Sequence, residues 1–322
     1  MPVEIKVKKR DYVDFDRWTW ISLTQKCNWK CWYCDHPKIN NPQTVNLDYF
    51  DEFAEIFIKA KGKSNIEVSL EGGEIGLLDS KTLDHIFDAN LSETHTITTN
   101  GLFLKKGYHD TYKDKIHHIL YHVVPEMDDK FDFPRYEFDP SIHVLYTMVI
   151  HKGNIKYLDK FLDYNKDCAF LPHFLQPRTD SLQFMNKEDF IEIYNIVKDK
   201  PNFEPYVKDR LVNIIKHFDT KTLNMYRNIC CNVYNKTIIN LPRRVIHRCC
   251  ISMNTSPIPI TYENLQGAFN NKLYTFPKWD ETCTDCIANF VWMYDSIYMN
   301  PNTELNYRKL SFNILKNSAK KS

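Results

Sequence analysis

The order of apolar and polar residues in the first half of the chain predicts β-strands that alternate with α-helices. Five amphipathic stretches separate six strand-like segments, and the clearest is 47–61, which is acidic in its first half and basic at its end. Its apolar face carries Leu47, Phe50, Ala54, Phe57 and Ile58. The predicted strands lie near 17–24, 65–71, 94–99, 117–124, 143–150 and 169–176. Strands that alternate with helices pair in parallel, so we predict an α/β protein built on a partial (β/α)6 barrel.

Three cysteines follow the first predicted strand, in the segment Cys27-Asn-Trp-Lys-Cys31-Trp-Tyr-Cys34. In parallel barrels the chemistry collects on the loops after the carboxyl ends of the strands, where this segment lies. Three thiolates on one short loop can hold three corners of an iron–sulfur cubane and leave the fourth iron open to a small molecule. The alternative is a zinc knuckle that includes His36, but zinc sites favour two pairs of ligands that close a tetrahedron.

Two further motifs follow the second and third predicted strands. Gly72-Gly73-Glu74 ends the second strand, and Asn100-Gly101 follows the third. Glycines let the backbone approach a ligand closely, and a carboxylate beside them can bind a cationic group. A glycine pair alone would indicate only a turn. Its place after a strand, between two other polar motifs, favours a shared binding site.

The three motifs, in this order, resemble those of the radical S-adenosylmethionine (radical SAM) superfamily, with Tyr33 as the aromatic residue before the last cysteine. The resemblance implies that Cys27, Cys31 and Cys34 bind a [4Fe–4S] cluster whose open iron chelates the methionine amino and carboxylate groups of SAM. It also implies that an electron from an external donor, such as flavodoxin or ferredoxin, leads to cleavage of SAM. The resulting 5′-deoxyadenosyl radical then abstracts a hydrogen atom from the substrate.

The resemblance also implies that residues on the loops after the strands bind SAM or the substrate. Glu74 is expected at the SAM amino group and Glu126 at the ribose, while Gln176 and Arg178 are expected to face SAM or the substrate. Ordinary solvation of the loops is the alternative for the last three. Arg178 is the candidate catalytic residue, and the predicted cofactor-binding residues are Tyr33, Gly72, Gly73, Glu74, Asn100, Glu126 and Gln176. Cys168 precedes the sixth strand, so we expect a packed thiol at the opposite edge.

Beyond residue 185 the barrel pattern stops. Helical segments near 187–198 and 205–226 lead to two short strands about Pro242-Arg243-Arg244, with cysteines on both sides. This arrangement resembles the C-terminal SPASM or shorter twitch domains of radical SAM enzymes, although Arg244 stands where that family usually has glycine. We therefore predict a barrel at 1–185, a helical linker at 186–229, and a small α+β twitch-like domain with a β-hairpin and a C-terminal helix at 230–322.

The C-terminal cysteines supply a second predicted metal site. In the order expected of a twitch domain, they imply one fully ligated auxiliary [4Fe–4S] cluster that accepts an electron from the substrate radical. Cys230 or Cys250 could replace the adjacent cysteine, and a zinc ribbon is the alternative to the cluster. The predicted ligands are Cys231, Cys249, Cys283 and Cys286.

Composition narrows the class of protein. The 322 residues include 10 cysteines, of which all but Cys168 lie in close groups, and in an intracellular protein such groups favour metal over disulfides. No apolar run approaches the roughly 20 residues of a membrane span, and the charged N-terminus has no apolar core behind it, so we expect a cytoplasmic protein without a membrane partner. The formal net charge of +1 disfavours nucleic acid as a partner.

These observations predict a radical SAM enzyme of the oxidoreductase type. We expect it to oxidise a small molecule with the auxiliary cluster as electron acceptor. A peptide-modifying enzyme is the alternative, but such relatives often carry an N-terminal leader-binding domain, and the first cluster cysteine is already at position 27. An enzyme that modifies nucleic acids or nucleotides would be expected to show a basic groove, for which the sequence offers little support.

Overall fold

A computed structural model describes residues 17–34, 36–124, 131–174, 185–203, 205–216, 236–247 and 257–269 of the protein. In these ranges the strands are β1 (Arg17–Thr24), β2 (Ile66–Gly72), β3 (His95–Thr99), β4 (Ile116–Val124), β5 (His143–Ile150), β6 (Phe170–Phe174), β7 (Lys236–Asn240), β8 (Val245–His247) and β9 (Ile258–Pro259). The helices are α1 (Leu47–Lys61), α2 (Ser80–Asp88), α3 (Leu102–Lys105), α4 (Tyr108–Thr111), α5 (Ile155–Tyr164), α6 (Lys187–Val197), α7 (Pro205–Lys216) and α8 (Tyr262–Phe269). None of the helices in the described ranges is long and apolar enough to cross a membrane.

One mixed sheet contains the nine strands of the described ranges, in the order β6-β5-β4-β3-β2-β1-β7-β8-β9. The first six strands pair in parallel, each with the next along the chain. This confirms the predicted partial barrel, because its consecutive strands pair in parallel. The amphipathic helix expected between the fourth and fifth strands is not found in the described residues 131–142, which form an irregular connection. The carboxyl ends of these strands lie along a single edge, which gathers the loops that follow them.

The predicted β-hairpin is present, and it continues the barrel sheet. β7 pairs in parallel with β1, from Trp18 beside Lys236 to Ser22 beside Asn240, and β8 returns antiparallel to β7. At the turn, Arg244 adopts a φ of 56°, the left-handed conformation that glycine adopts most easily. The Arg244 guanidinium lies 4.1 Å from the ring centroid of Tyr49 on α1, a contact that compensates for the strained backbone.

Helices cover one face of the six-stranded part of the sheet. The Phe87 ring of α2 lies 5.4 Å from the His95 ring of β3, and the Phe161 ring of α5 lies 5.1 Å from Phe170 of β6. In α1 the predicted span is confirmed, but Ile58 is 45% exposed rather than buried. Phe53 packs in the core because it lies between Phe50 and Phe57 on the helix.

The opposite face of the strands, which we call the inner face, carries many polar residues. Thr96 pairs with His118 across β3 and β4, and both alternate with residues that face the helices. Polar inner-face residues include Ser22, Ser69, Thr96, His118, His122 and Thr147. A polar inner surface suits a site for polar ligands better than an apolar core would.

Candidate functional site

The cysteine loop begins directly after β1 and is held by the end of β2. Gly73 N–H donates to the Thr24 carbonyl at 2.7 Å, and Glu74 N–H donates to the Lys26 carbonyl at 2.8 Å. These two bonds fix the chain up to the residue before Cys27. The loop itself turns where Cys34 N–H donates to the Cys31 carbonyl at 3.1 Å.

All three cysteines of the loop are half-buried, and none of them is in a disulfide. Burial raises the pKa of Cys27, the Trp29 amide opposes this, and the charges of Glu74, Cys34 and Cys31 raise it further. Trp29 N–H lies 3.4 Å from the Cys27 sulfur. Three thiolates so close together repel one another, and a bound cation would relieve that repulsion.

Gly72 and Gly73 are required by the contact between β2 and the start of the cysteine loop. A Cβ on Gly72, whose φ is +145°, would lie 2.3 Å from the Thr24 carbonyl oxygen, and one on Gly73 would lie 2.1 Å from that of Lys26. The sequence suggested a close approach to a ligand, but the close approach found here is to the protein's own backbone. The glycine pair therefore positions the cysteine loop.

The Glu74 carboxylate lies under this turn and is 1% exposed. One oxygen accepts hydrogen bonds from Gly76 N–H and the Thr99 hydroxyl, both at 2.8 Å. The other accepts from Asn100 N–H at 2.7 Å. Burial raises the pKa of Glu74, and these donors, together with the Phe103 amide, oppose that rise.

The carboxylate of Glu74 thus ties the end of β2 to the turn after β3. Both of its oxygens already accept hydrogen bonds from the protein, and almost none of the side chain is accessible. We expected this residue at the SAM amino group, and its observed position favours a structural role instead, because a buried, fully bonded carboxylate offers no free acceptor to a ligand.

Replacing Glu74 with Gln should therefore lower the free energy of unfolding. The amide NH₂ would face an N–H donor, so one buried donor would lose its acceptor, which costs about 1.5 to 3 kcal/mol for a bond to a charged group. Urea denaturation measures this change. If the variant is as stable as the wild type but binds SAM more weakly, Glu74 binds the ligand and does not serve mainly to stabilise the fold.

Asn100 links the turn after β3 to the cysteine loop. Its side-chain amide donates to the Asn28 side-chain oxygen at 2.9 Å and lies 3.7 Å from the Cys27 sulfur. Thr99 supports the turn because its hydroxyl accepts from Gly101 N–H at 3.0 Å. The structure therefore brings together the three motifs that the sequence placed after β1, β2 and β3.

Aromatic residues of the cysteine loop reach β4 and the turn after β5. The Tyr33 hydroxyl lies 3.3 Å from Nε2 of His122, and the Trp29 ring packs edge-on against the same histidine. The Trp32 ring lies 5.2 Å from the ring of His151. The loop is thus held by four successive strand ends rather than by β1 alone.

His151 is itself oriented by the turn that begins α5. Its backbone N–H donates to the Asn154 side-chain oxygen at 2.9 Å, and Gly153 N–H donates to Nδ1 of the imidazole at 3.2 Å. Because Nδ1 accepts a hydrogen bond, the neutral ring carries its proton on Nε2. The imidazole is therefore held in one orientation beside the cysteine loop.

The sequence did not single out Asn28, His122 or His151 as site residues. The two histidines stand at or just after strand ends, so the rule that favours strand carboxyl ends could have included them. The contact of Asn28 with Asn100 joins residues 72 positions apart and has no local signal.

The other predicted site residues lie outside the described residues. These are Glu126, Gln176 and Arg178 near the barrel and the C-terminal cysteines Cys231, Cys249, Cys283 and Cys286. Cys168 is described: it is buried before β6, contacts the Arg135 guanidinium, and its pKa is raised by burial. It lies at the amino-terminal edge of the sheet, as expected of a packed thiol.

The donor set of the cysteine loop fits an iron–sulfur cluster. Cys27, Cys31 and Cys34 are not in disulfides, are close enough to interact electrostatically, and are partly accessible. The Asn100 amide near the Cys27 sulfur supplies a hydrogen bond of the kind that tunes such clusters. Elsewhere in the described residues, one carboxylate and two imidazoles also lie close enough together to bind a metal ion, and that group includes no residue of this loop.

Comparison of the sequence with known proteins finds one partial match. No family model matches the chain. A probable GTP 3′,8-cyclase of Methanococcus maripaludis is 26% identical over 154 residues, which are 47% of this chain and 46% of that protein. The match therefore spans about half the length of this relative.

Solved structures align over most of the chain. Streptococcus suis SuiB bound to S-adenosylmethionine is 17% identical with a TM-score of 0.56, over 88% of this chain and 74% of SuiB. Native anSMEcpe with bound AdoMet is 10% identical with a TM-score of 0.55, over 92% of this chain and 99% of anSMEcpe. At these identities the likeness concerns the fold. The chain therefore shares the fold of these two structures, and the three motifs that follow β1, β2 and β3 meet at one edge of its sheet.

Proposed function

We propose that the protein is a radical SAM enzyme that binds a [4Fe–4S] cluster on Cys27, Cys31 and Cys34. The observation that carries the proposal is that the loop of these thiols meets the Gly72-Gly73 turn and the Asn100 amide at the carboxyl edge of the strands. Ligands bind at this edge in parallel barrels. When bound, the cluster supplies an electron that cleaves SAM to methionine and the 5′-deoxyadenosyl radical, which abstracts a hydrogen atom from the substrate.

The protein's own residues position and shield the reaction in this proposal. Gly73 and Glu74 hold the backbone before Cys27, and the Glu74 carboxylate holds the turn that carries Asn100. Tyr33 remains a proposed SAM contact, and its hydroxyl lies 3.3 Å from Nε2 of the inner-face His122. Gly72, Gly73 and Asn100, which are half-buried, remain proposed SAM contacts together with Glu126 and Gln176; Arg178 remains the proposed catalytic residue.

The direct test is SAM cleavage by the full-length protein. After anaerobic reconstitution with iron and sulfide, and reduction by dithionite or by flavodoxin as the proposed external donor, the protein should convert SAM to 5′-deoxyadenosine. Chromatography measures the product. Protein that holds iron but forms no 5′-deoxyadenosine above the level of reduced buffer would contradict the proposal.

We propose oxidation of a small molecule as the net reaction, with the C-terminal cysteines holding a second cluster. A fully ligated cluster serves electron transfer, and hydrogen abstraction leaves a substrate radical that must lose one more electron to complete an oxidation. This proposal and the cytoplasmic location rest on the sequence, because the C-terminal cysteines lie outside the described residues.

A peptide substrate is the second candidate. SuiB bound to the precursor peptide SuiA and anSMEcpe bound to AdoMet and the Cp18Cys peptide share this fold, with TM-scores of 0.54 and 0.51. A matched pair of assays separates the candidates. Ultrafiltration divides a cell extract into a small-molecule fraction and a peptide fraction, and the protein is incubated with each. The small-molecule fraction should raise the production of 5′-deoxyadenosine above the level formed without substrate. Stimulation by the peptide fraction alone would favour the second candidate.

The second cluster makes a prediction about iron content. If Cys231, Cys249, Cys283 and Cys286 bind one auxiliary [4Fe–4S] cluster, the reconstituted protein should hold about eight irons, four for each cubane. Cys231→Ala and Cys249→Ala should each lose iron, whereas the adjacent variants Cys230→Ala and Cys250→Ala should retain it, because neighbouring side chains in an extended segment point to opposite sides. A metal content of four irons and one zinc would show that the C-terminal cysteines form a zinc ribbon and not an auxiliary cluster.

A further inference from the structure

A second group of potential metal ligands lies on the inner face, near the opposite edge of the sheet. It consists of Glu67 at the start of β2 and the consecutive residues His117 and His118 at the start of β4. Glu67 precedes Gly72 by five positions, which is about 16 Å along a strand. The group therefore shares no residue with the cysteine loop.

A β-bulge explains how two consecutive histidines reach the same carboxylate. Neighbouring residues in a regular strand point to opposite faces. Here His95 pairs with Ile116 and Thr96 pairs with His118, so the register shifts and His117 has no opposite residue on β3. Both imidazoles can then lie on one side, and their ring centroids are 4.1 Å apart. Bulges often re-aim side chains in this way near functional sites.

The three side chains have a spacing that suits a metal ion. One ligand atom from each of Glu67, His117 and His118 lies within 4.8 Å of the other two. Nε2 of His117 lies 3.4 Å from a Glu67 oxygen. Ligands bound at 2.0 to 2.2 Å from a common ion are roughly 3 to 4 Å apart, so a small movement of the side chains would complete the arrangement.

Glu67 is buried and held in place from β3. The Thr96 hydroxyl donates to one Glu67 oxygen at 2.5 Å, and the carboxylate is only 2% exposed. Burial disfavours the ionised carboxylate, and a bound cation would offset that cost. The side chain of His117 is 23% exposed, which leaves a route from solvent to the group.

We propose that Glu67, His117 and His118 form a binding site for a divalent first-row transition metal ion such as Zn²⁺. Two imidazoles and one carboxylate are a ligand set that Zn²⁺ and Fe²⁺ both accept, with the remaining positions filled by water or a further ligand. The His143 ring lies beside His118, 5.4 Å between centroids, and is the nearest additional imidazole from β5. Thr96 acts through Glu67 and is a positioning residue.

This metal site does not depend on the proposed reaction at the cysteine loop. Its position at the amino-terminal edge, where parallel barrels carry stabilising rather than catalytic features, indicates a structural ion that joins β2 to β4. β3 separates these strands in the sheet, so an ion between them would clamp three neighbouring strands. Bound metal should therefore increase the stability of the barrel.

The test uses the full-length protein with its cysteine sites filled by anaerobic reconstitution with iron and sulfide. Zn²⁺ is then titrated against a chromophoric chelator. We compare the wild type with Glu67→Gln and His118→Asn, and use His85→Asn as the control, because His85 is an exposed histidine that pairs with Asp51 on another surface. The wild type and His85→Asn should bind one more equivalent of Zn²⁺ than the other two variants.

Two further measurements distinguish loss of the metal site from misfolding of the variants and from binding of Zn²⁺ to unreconstituted cysteine thiols. Thr96→Val keeps the three ligands and should weaken Zn²⁺ binding by about tenfold, the lower end of the effect of losing a supporting hydrogen bond. Co²⁺ in the wild type should show ligand-field bands without a thiolate charge-transfer band. Equal Zn²⁺ binding by the wild type and Glu67→Gln, or Co²⁺ bound through thiolates alone, would overturn the metal site. Loss of SAM cleavage would bear only on the proposed function.

Discussion

Replacing Cys27, Cys31 and Cys34 together with alanine should abolish the cleavage of SAM. The three thiols are the proposed donors of the loop after β1; none of them is in a disulfide, and each is partly accessible. Without them an iron–sulfur cluster has no ligands on this loop, so production of 5′-deoxyadenosine should fall to the level of buffer alone. Iron content should fall by about four atoms per chain, the number in one cubane.

Cys168→Ala is the matched control for this experiment. Cys168 is also a free thiol, but it is buried before β6 and contacts Arg135 rather than the cysteine loop. Its replacement should leave both iron content and SAM cleavage unchanged, apart from a modest loss of stability from the small cavity. If the triple variant still forms 5′-deoxyadenosine at the rate of the wild type, the cysteine loop is not the SAM-cleaving site.

Gly73→Ala should have the next largest effect, because it separates the cysteine loop from β2. The added Cβ would lie 2.1 Å from the Lys26 carbonyl oxygen and 2.5 Å from its carbon. These are backbone atoms that cannot rotate away, and the same carbonyl accepts the hydrogen bond from Glu74 N–H. We expect a loss of about 3 kcal/mol in the free energy of unfolding, at the upper end for overpacking.

The displacement should also reach the cluster, because Lys26 directly precedes Cys27. We expect Gly73→Ala to retain less iron on the cysteine loop and to cleave SAM more slowly. Gly107→Ala is the control: Gly107 has a φ of +72° and an open space around its Cβ position, so its cost is backbone strain alone, about 1 to 2 kcal/mol. Equal stability and iron content in the two variants would show that the predicted clash is relieved without displacing the loop.

Much of the fold can be predicted because its strands and helices have local signals. The apolar segment near 143–150 is observed as His143–Ile150, and 47–61 as Leu47–Lys61. Asn46 caps that helix by accepting from Tyr49 N–H, and Gly62 ends it with a φ of 58°. Both signals lie within a few residues of the structure that they determine.

The chemistry of the cysteine loop is also local. The spacing of Cys27, Cys31 and Cys34 predicts a three-thiol site from eight consecutive residues, without reference to other parts of the chain. The alternation of strands and helices then places the loop at the carboxyl edge of a parallel sheet. The sequence by itself therefore determined the class of fold, the edge that carries the site and the donor atoms that a cluster would use.

Three features depended on contacts between distant residues. The carboxylate of Glu74 could be recognised as a buried clamp only when Thr99 and Asn100 were seen to donate to it. The pairing of β7 with β1 joins residues more than 200 positions apart, and no local pattern specifies that register. The contact of Tyr33 with His122 likewise joins positions 89 apart.

The cluster of Glu67, His117 and His118 shows most clearly what the tertiary structure decided. Regular alternation would place His117 and His118 on opposite faces of β4, and only the bulge opposite His95 and Thr96 brings both toward β2. Alternation and capping depend on residues that are close together in the chain, so the sequence alone determined the helices and strands and predicted the chemistry of the cysteine loop. Register, burial and bulges depend on which strands become neighbours, and that is settled only when the whole sheet packs.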